Sequence, residues 1–441
     1  MKTSVKLAVS ALLIYFFSWA VVYGVKINKL PIQSEDTVPT MLTAAAIIQD
    51  GTLYLDKYYD MMIASYPQPD DKDQALGLTP FYLRKVGDHF ISAFPLIPAF
   101  LSVPIFLIPL KLGLPVNFEN LAYLSHFSAA FYVAISGYLL YLLVKNHLGK
   151  NEKTARLVTL IYLFGTINFA LISQGLWQHG FVELFLIAGL LAFYNKRFFL
   201  TGVLFGLALL TRPTSAIAVG LLSILFLQQT LPAWKKFGGY LLGFAPPILF
   251  FLWYNSTYYL GIQNQGYASQ VFTEWLSPFP TSFIGMWLSP SKGILIYSPV
   301  LIFAFVGFYL TRKNLKYVIF AAIIFIHTLI LSLWKHWYGG WSFGYRMASD
   351  AIPFMVLLMI PYLESKLFEK TKKLFWILLI FSILVQIFGI IFFDGIWHAA
   401  YDNGFQNTAW LWSIRDSELT FNIRRILVKL GLLARACPNC L

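Results

Sequence analysis

Residues 91–110 read Ile91-Ser92-Ala93-Phe94-Pro95-Leu96-Ile97-Pro98-Ala99-Phe100-Leu101-Ser102-Val103-Pro104-Ile105-Phe106-Leu107-Ile108-Pro109-Leu110. The run is apolar enough for a membrane, yet it carries Pro95, Pro98, Pro104 and Pro109. Proline removes an amide donor and clashes with the preceding turn, so this is a poor composition for a straight spanning helix. Whether it crosses decides the orientation of everything after it. Other apolar runs lie near 5–25, 121–144, 156–173, 180–194, 198–211, 213–230, 237–254, 292–311, 317–334, 347–363 and 375–393. Suppose all of them cross and Lys2 and Lys6 hold the N-terminus inside. Then every basic cluster falls outside: Lys145/Lys150/Lys153/Arg156, Lys196/Arg197, Lys235/Lys236, Arg312/Lys313/Lys316 and Lys366/Lys370/Lys372/Lys373. Basic residues gather on the cytoplasmic side. Withdrawing one crossing between residues 26 and 144 repairs all of these loops at once, and 91–110 is the run whose prolines justify it. It is therefore expected to be a broken, in-plane or re-entrant helix on the outer face. That leaves about eleven crossings, with the N-terminus inside and the C-terminus outside.

Composition agrees with an all-α integral membrane protein. The 441 residues are 58% hydrophobic and 12% charged, with a mean hydropathy of +0.66; soluble domains carry about 25% charged residues. The first run, Val5 to Val25, is too long for a signal-peptide core and reads as a retained anchor. The net charge of +13 needs no nucleic-acid partner, because the basic residues sit in short clusters between apolar runs. The two cysteines, Cys437 and Cys440, have zinc-knuckle spacing but no further ligands nearby; they read as an incidental tail or as half of a clip.

The polar segments 26–90, 255–291 and 394–441 fall on the outer side, as do nearly all the acids, so function is expected there. The first outer loop spans 26–120. Within it, Ser34-Glu35-Asp36-Thr37-Val38-Pro39 precedes a predicted helix running to about Gln49, with Gly51 as terminator. That helix, with Leu42, Ala44 to Ala46, Ile47 and Ile48, suits the membrane interface. A carboxylate at a helix N-terminus is kept ionised by the dipole, which fits a general base. Asp36 equally fits a plain N-cap. Arg84 and Lys85, in the stretch Phe81 to His89, stand at the outer boundary, placed for a lipid phosphate or as interfacial anchors. Trp334-Lys335-His336-Trp337-Tyr338-Gly339-Gly340-Trp341-Ser342-Phe343-Gly344-Tyr345-Arg346 is a short outer loop followed by Asp350. Its tryptophans could form an aromatic belt, but its glycines permit backbone that a belt does not need. Aromatic faces suit sugars and Arg346 suits phosphate. Arg212, lone in an apolar hairpin, is a further phosphate candidate or a snorkelling side chain. Ser289 to Gly293 reads mainly as a helix start. No Walker A, GxGxxG, HExxH or nucleophile elbow is present.

In this order, the stretches 34–39 with 50–56, 82–98, 209–214, 289–299 and 337–350 with Ile352-Pro353-Phe354 resemble the polytopic glycosyltransferases of the GT-C fold. The nearest likeness is to bacterial glycosyltransferase family 39, of the protein mannosyltransferase and aminoarabinose-transferase type. The likeness covers 1–395 as the membrane domain and leaves 396–441 as a short outer tail; the relatives' larger C-terminal domain and their Asp-Glu order are not found here. What it implies is inverting transfer of a sugar from a polyprenyl-phosphate donor to a lipid, glycan or protein acceptor at the outer face of the cytoplasmic membrane. It implies Asp36, with Glu35, as the catalytic acid pair, and Arg84, Lys85, Arg346 and Arg212 at the donor phosphate. His89, Lys335, His336, Trp337, Tyr338, Trp341 and Asp350 are the expected sugar and acceptor contacts. No cofactor is assigned; paired carboxylates can take a divalent metal, but two adjacent acids are too few to assign one. A transporter or flippase for lipid-linked glycans, or a non-catalytic binder of them, is the alternative; a transporter would bury ionisable groups near the bilayer midplane.

Overall fold

A computed structural model describes residues 3–65, 80–149, 151–230, 234–266, 275 and 277–433. Cys437 and Cys440 lie outside the described residues, as does Lys150. The chain is mostly helical. In order it forms α1 (Thr3–Gly24), α2 (Val38–Gln49), α3 (Tyr59–Ser65), strands β1 (Leu83–Val86) and β2 (His89–Ser92), α4 (Ile97–Lys111), α5 (Phe118–Leu143), α6 (Glu152–Phe164) and α7 (Ile167–Ala170). Then come α8 (Gln178–Tyr194), α9 (Phe198–Thr211), α10 (Ala216–Thr230), α11 (Trp234–Leu242), α12 (Ala245–Thr257), α13 (Thr281–Leu288), α14 (Ile294–Tyr297) and α15 (Phe303–Thr311). The last are α16 (Leu315–Ser332), α17 (Ile352–Leu358), α18 (Ile360–Leu363), α19 (Lys366–Phe392), α20 (Ile396–Tyr401) and α21 (Glu418–Lys429).

Among the described residues, 6 helices are long and apolar enough to cross a membrane, or up to 7 if the bent pair 152–164 and 167–174 counts as one. Five further apolar helices are shorter, α4, α8 and α9 among them. The sequence reading of about eleven crossings is thus matched only in its coarser part: a helical chain with several membrane-length spans.

The chain divides into two compact units. The first comprises 1–17, 34–155 and 172–274; the second comprises 18–33, 156–171 and 275–441.

In the first unit α2 is buried along almost its whole length, packed on α4 and α5. The expectation of an interfacial helix is corrected here: Ala44, Ala45 and Ala46 are small enough to let neighbouring backbones close in on every side. Gly51, at φ +65°, ends the approach as expected. The run 91–110 also differs from its reading. Its first residues pair in a hairpin, with Leu83 opposite Ser92 and Val86 opposite His89. Gly87, at φ +61°, makes the tight turn. The helix starts only at Ile97 and continues through Pro104 and Pro109. At about 1.5 Å per residue, its 15 residues are shorter than a ~30 Å hydrocarbon core.

Glycines set a close helix crossing in this unit. A Cβ on Gly202 of α9 would stand 2.0 Å from the Tyr240 carbonyl oxygen, and one on Gly243 would stand 2.1 Å from that of Phe199. Small residues at such positions let membrane helices approach backbone to backbone. Gly189 of α8 receives the ring of Phe205 in the same manner.

In the second unit α16 packs on α17, and α15 on α18. Residues 396–430, set apart as a tail in the sequence, fold here into α20, a 3-10 turn at Thr408–Trp412, and α21. Trp397, Leu411 and Phe421 are buried, and the Leu411 carbonyl accepts a bond of 2.7 Å from Ser289.

Candidate functional site

Glu35, Asp36 and Thr37 form a 3-10 turn leading into α2. Ser34 is its cap, its hydroxyl accepting from the Asp36 amide at 3.4 Å. The Thr37 hydroxyl donates to the Ser34 carbonyl at 3.0 Å. Ser34 thus caps the 3-10 turn, while Thr37 stands at the N-cap of α2 and makes no side-chain cap bond. The turn lies on the segment that opens α8: a Cβ on Gly175 would sit 3.6 Å from the Thr37 methyl and 3.4 Å from Nε1 of Trp177. Two residues after Trp177, His179 is buried, and the equally buried Arg212 closes on it. The guanidinium Nη1 is within hydrogen-bond reach of His179 Nδ1 and 3.1 Å from Nε2. The acidic turn, the amino end of α8 and the Arg212–His179 pair thus belong to one neighbourhood of the first unit. A helix amino end and a buried guanidinium both favour an anion. One turn further along α8 sits Glu183, fully buried. Sequence reasoning missed both residues. Their signal was two ionisable residues i and i+4 in an apolar run, hence on one helix face.

Arg84 and Lys85 occupy adjacent positions of β1, so they point to opposite faces. Arg84 donates to the Gly266 carbonyl at 2.7 Å. Both line an open groove of about 370 Å³ with Val86, Gly87, Leu260, Asn264 and Gln265. His89 stacks on Tyr54 at 4.0 Å, and its Nδ1 lies 3.0 Å from Asp56 Oδ2. Asp56 also accepts from the Phe90 amide at 2.9 Å.

The second unit holds Lys335, His336, Trp337, Tyr338, Trp341, Arg346 and Asp350. Trp337 and Tyr338 are buried; Trp337 fills the space over Gly285, where a Cβ would meet its ring at 2.3 Å. Burial, then the Asp402 carboxylate, pushes the Tyr338 hydroxyl well up. Both rings are packed inside the second unit. His336 reaches the Tyr338 hydroxyl through Nδ1 at 3.2 Å, and Lys335 lies over the Phe405 ring. Asp350 is buried in the 3-10 turn Arg346–Ala351. Trp341 is the large exposed aromatic of the loop, at 48%.

Beneath this loop is a charged cluster that the sequence did not reveal. Lys292, read as part of a helix start, is 1% exposed and lies 3.7 Å from the equally buried Glu418. Its ammonium donates to the Ser342 carbonyl and lies 3.0 Å from His398 Nε2. Glu418 accepts from the Tyr297 hydroxyl at 3.0 Å and from the Gly344 backbone. Burial raises the Glu418 pKa, against the pull of Lys292 and the Tyr297 bond. His398 is held far below the usual imidazole value by burial and by Lys292. The partners are far apart in sequence, so no local pattern pointed to them. Among the described residues no group of three or more His, Cys, Asp or Glu side chains is placed to hold a metal.

No family model and no curated protein matches the chain.

Proposed function

We propose that the chain transfers a sugar from a polyprenyl-phosphate donor to an acceptor hydroxyl, with inversion, at the outer face of the cytoplasmic membrane. The observation that carries this reading is the acidic turn Glu35–Thr37 lying on the segment that opens α8, where Arg212 closes on His179. In this mechanism Asp36 takes the acceptor proton. The freed oxygen attacks the anomeric carbon, and the bond from that carbon to the phosphate oxygen breaks. One displacement inverts the centre. The leaving phosphate carries its charge away beside Arg212 and the α8 amino end, which stabilise it electrostatically. A lipid phosphate needs no nucleotide site. Arg84, Lys85 and Arg346 serve the same donor's phosphate in this proposal, and His89, Lys335, His336, Trp341 and Asp350 are its sugar or acceptor contacts. The finer topology belongs to this proposal too: about eleven crossings, with the shorter apolar helices tilted or paired in the bilayer.

The test is transfer by the purified protein from a pool of polyprenyl-phosphate sugars, compared with the Asp36→Asn variant. Asn keeps the shape and removes the basic charge. Loss of a positioned base costs about 10²–10⁴ in rate, with donor binding retained. A folded Asp36→Asn protein that transfers at the wild-type rate removes Asp36 from the mechanism. A second reading, a carrier of lipid-linked glycans, is favoured by one observation, the wholly buried Glu183 in an apolar helix. Movement of a labelled lipid-linked glycan across proteoliposomes without covalent transfer decides for it.

A further inference from the structure

The loop 339–346 is held by unusual means. Gly339, Gly340 and Gly344 have φ of +89°, +59° and +66°, a region that side-chain-bearing residues avoid. The Lys292 ammonium grips the Ser342 carbonyl, while Glu418 takes the Gly344 backbone from its own side. Burying two charges is costly unless each is paired and bonded. Here the pair fixes backbone atoms of one loop from below.

What that rigid loop presents is Trp341. Its Nε1 donates to Asp402 Oδ2 at 3.0 Å, and the other Asp402 oxygen is held by the Gly404 amide at 2.8 Å. One side of the indole lies near-parallel to the His398 ring, 5.7 Å away at 25°. That imidazole is itself fixed by Lys292 at 3.0 Å. Beside it lies Gly395, where a Cβ would come into ordinary contact with the indole at 3.8 Å. The ring is therefore pinned at its N–H and backed on one side, yet 48% of the residue is exposed. A tryptophan that only marks the membrane interface needs no carboxylate on its N–H and no ordered backing. Pinning removes the entropy of placing the ring when a ligand arrives.

We propose that Trp341 is a preformed stacking platform for the C–H face of a pyranose or furanose ring, with Asp402 and His398 as its positioning residues. Sugars combine an apolar C–H face with hydroxyls at the edge; the indole meets the first. The inference rests on the reading that this protein handles sugars, and names where a ring is held in the second unit. The protein in lipid nanodiscs is titrated with methyl glucoside, methyl mannoside and methyl arabinoside, followed by saturation-transfer NMR. At least one glycoside is expected to receive saturation at its ring C–H protons. Affinity should fall roughly five- to tenfold in Trp341→Ala, the range of an aromatic stack, and far less in Trp341→Phe. Asp402→Ala, which frees the indole, should weaken binding severalfold, while Asp402→Asn keeps an acceptor and restores it. Binding that Trp341→Ala leaves unchanged overturns the platform. So does the absence of binding by every glycoside, or a Trp341-dependent quenching by brominated lipids that equals that of a known interfacial tryptophan. Transfer from a polyprenyl donor is assayed alongside. Transfer that persists without glycoside binding fails only the platform, and binding without any transfer fails only the proposed reaction.

Discussion

Lys292 and Glu418 show what a single buried charge can demand of its surroundings. Removing one partner leaves the other uncompensated, which costs about 3–5 kcal/mol. Lys292→Ala and Glu418→Ala should each lower the melting temperature sharply in detergent. Lys292→Met combined with Glu418→Leu, which buries no charge, should recover most of that loss. If the double variant is no more stable than the singles, the pair is not the coupled unit described. Asp36→Asn makes the opposite prediction: stability nearly unchanged, because Ser34 caps the turn, and transfer lost. At this scale the sequence was partly legible. The acidic pair stood out because an acid before a helix start is a local pattern. Arg212 stood out as a lone cation. Glu418 and His398 could not, since their meaning comes from Lys292, over a hundred residues earlier in the chain.

Elements were read well where a rule is local. The helix Val38–Gln49 and its Gly51 stop followed from Pro39 and glycine placement. The hairpin 83–92 was lost inside an apolar run, and the burial of α2 was lost because its alanines look amphipathic until neighbours close on them. The α9 crossing gives a clean test. Gly202→Ala puts a methyl against the Tyr240 carbonyl, and overpacking of this kind typically costs about 1–3 kcal/mol; Gly220→Ala, in open space, should cost nothing measurable. Equal stability of the two in thermal melts contradicts the close approach. The start of α21 offers a pH test. Burial pushes the Asp416 carboxyl up, but bonds from Arg424 and Ser413 outweigh it and hold it below the usual aspartate range. A depressed carboxylate stabilises the fold above its unfolded pKa and loses that contribution as pH falls through the folded one. Hydrogen-exchange protection in 413–424, taken relative to the intrinsic rate at each pH, should therefore fall below about pH 4, and Asp416→Asn should remove the transition.

At the scale of the molecule, charge distribution carries the topology. The basic loops should share the cytoplasmic side, and the polar loop after α1 should lie opposite. With Cys437 and Cys440 replaced by serine, a cysteine at Asn314 should resist a membrane-impermeant reagent in intact cells, and one at Asp88 should react. Labelling at Asn314 from outside sinks the topology and the outer-face site together. Membrane class was legible because it depends on summed composition. The number of crossings was not, because helices such as α8 and α9 are short, and length alone does not say whether a pair of them spans or turns back.

The pairing of Lys292 with Glu418 also orders events during biogenesis. The ribosome releases Lys292 long before it makes its counter-charge. Until α21 emerges, the loop that carries Trp341 has an ammonium beneath it with no carboxylate to meet, so the second unit cannot reach its final form by sequential insertion of spans alone. Completion must wait for α21 to arrive and dock. Chains cut before Ser417 should insert and yet stay protease-sensitive in 334–350, and a membrane quality-control protease would find them there.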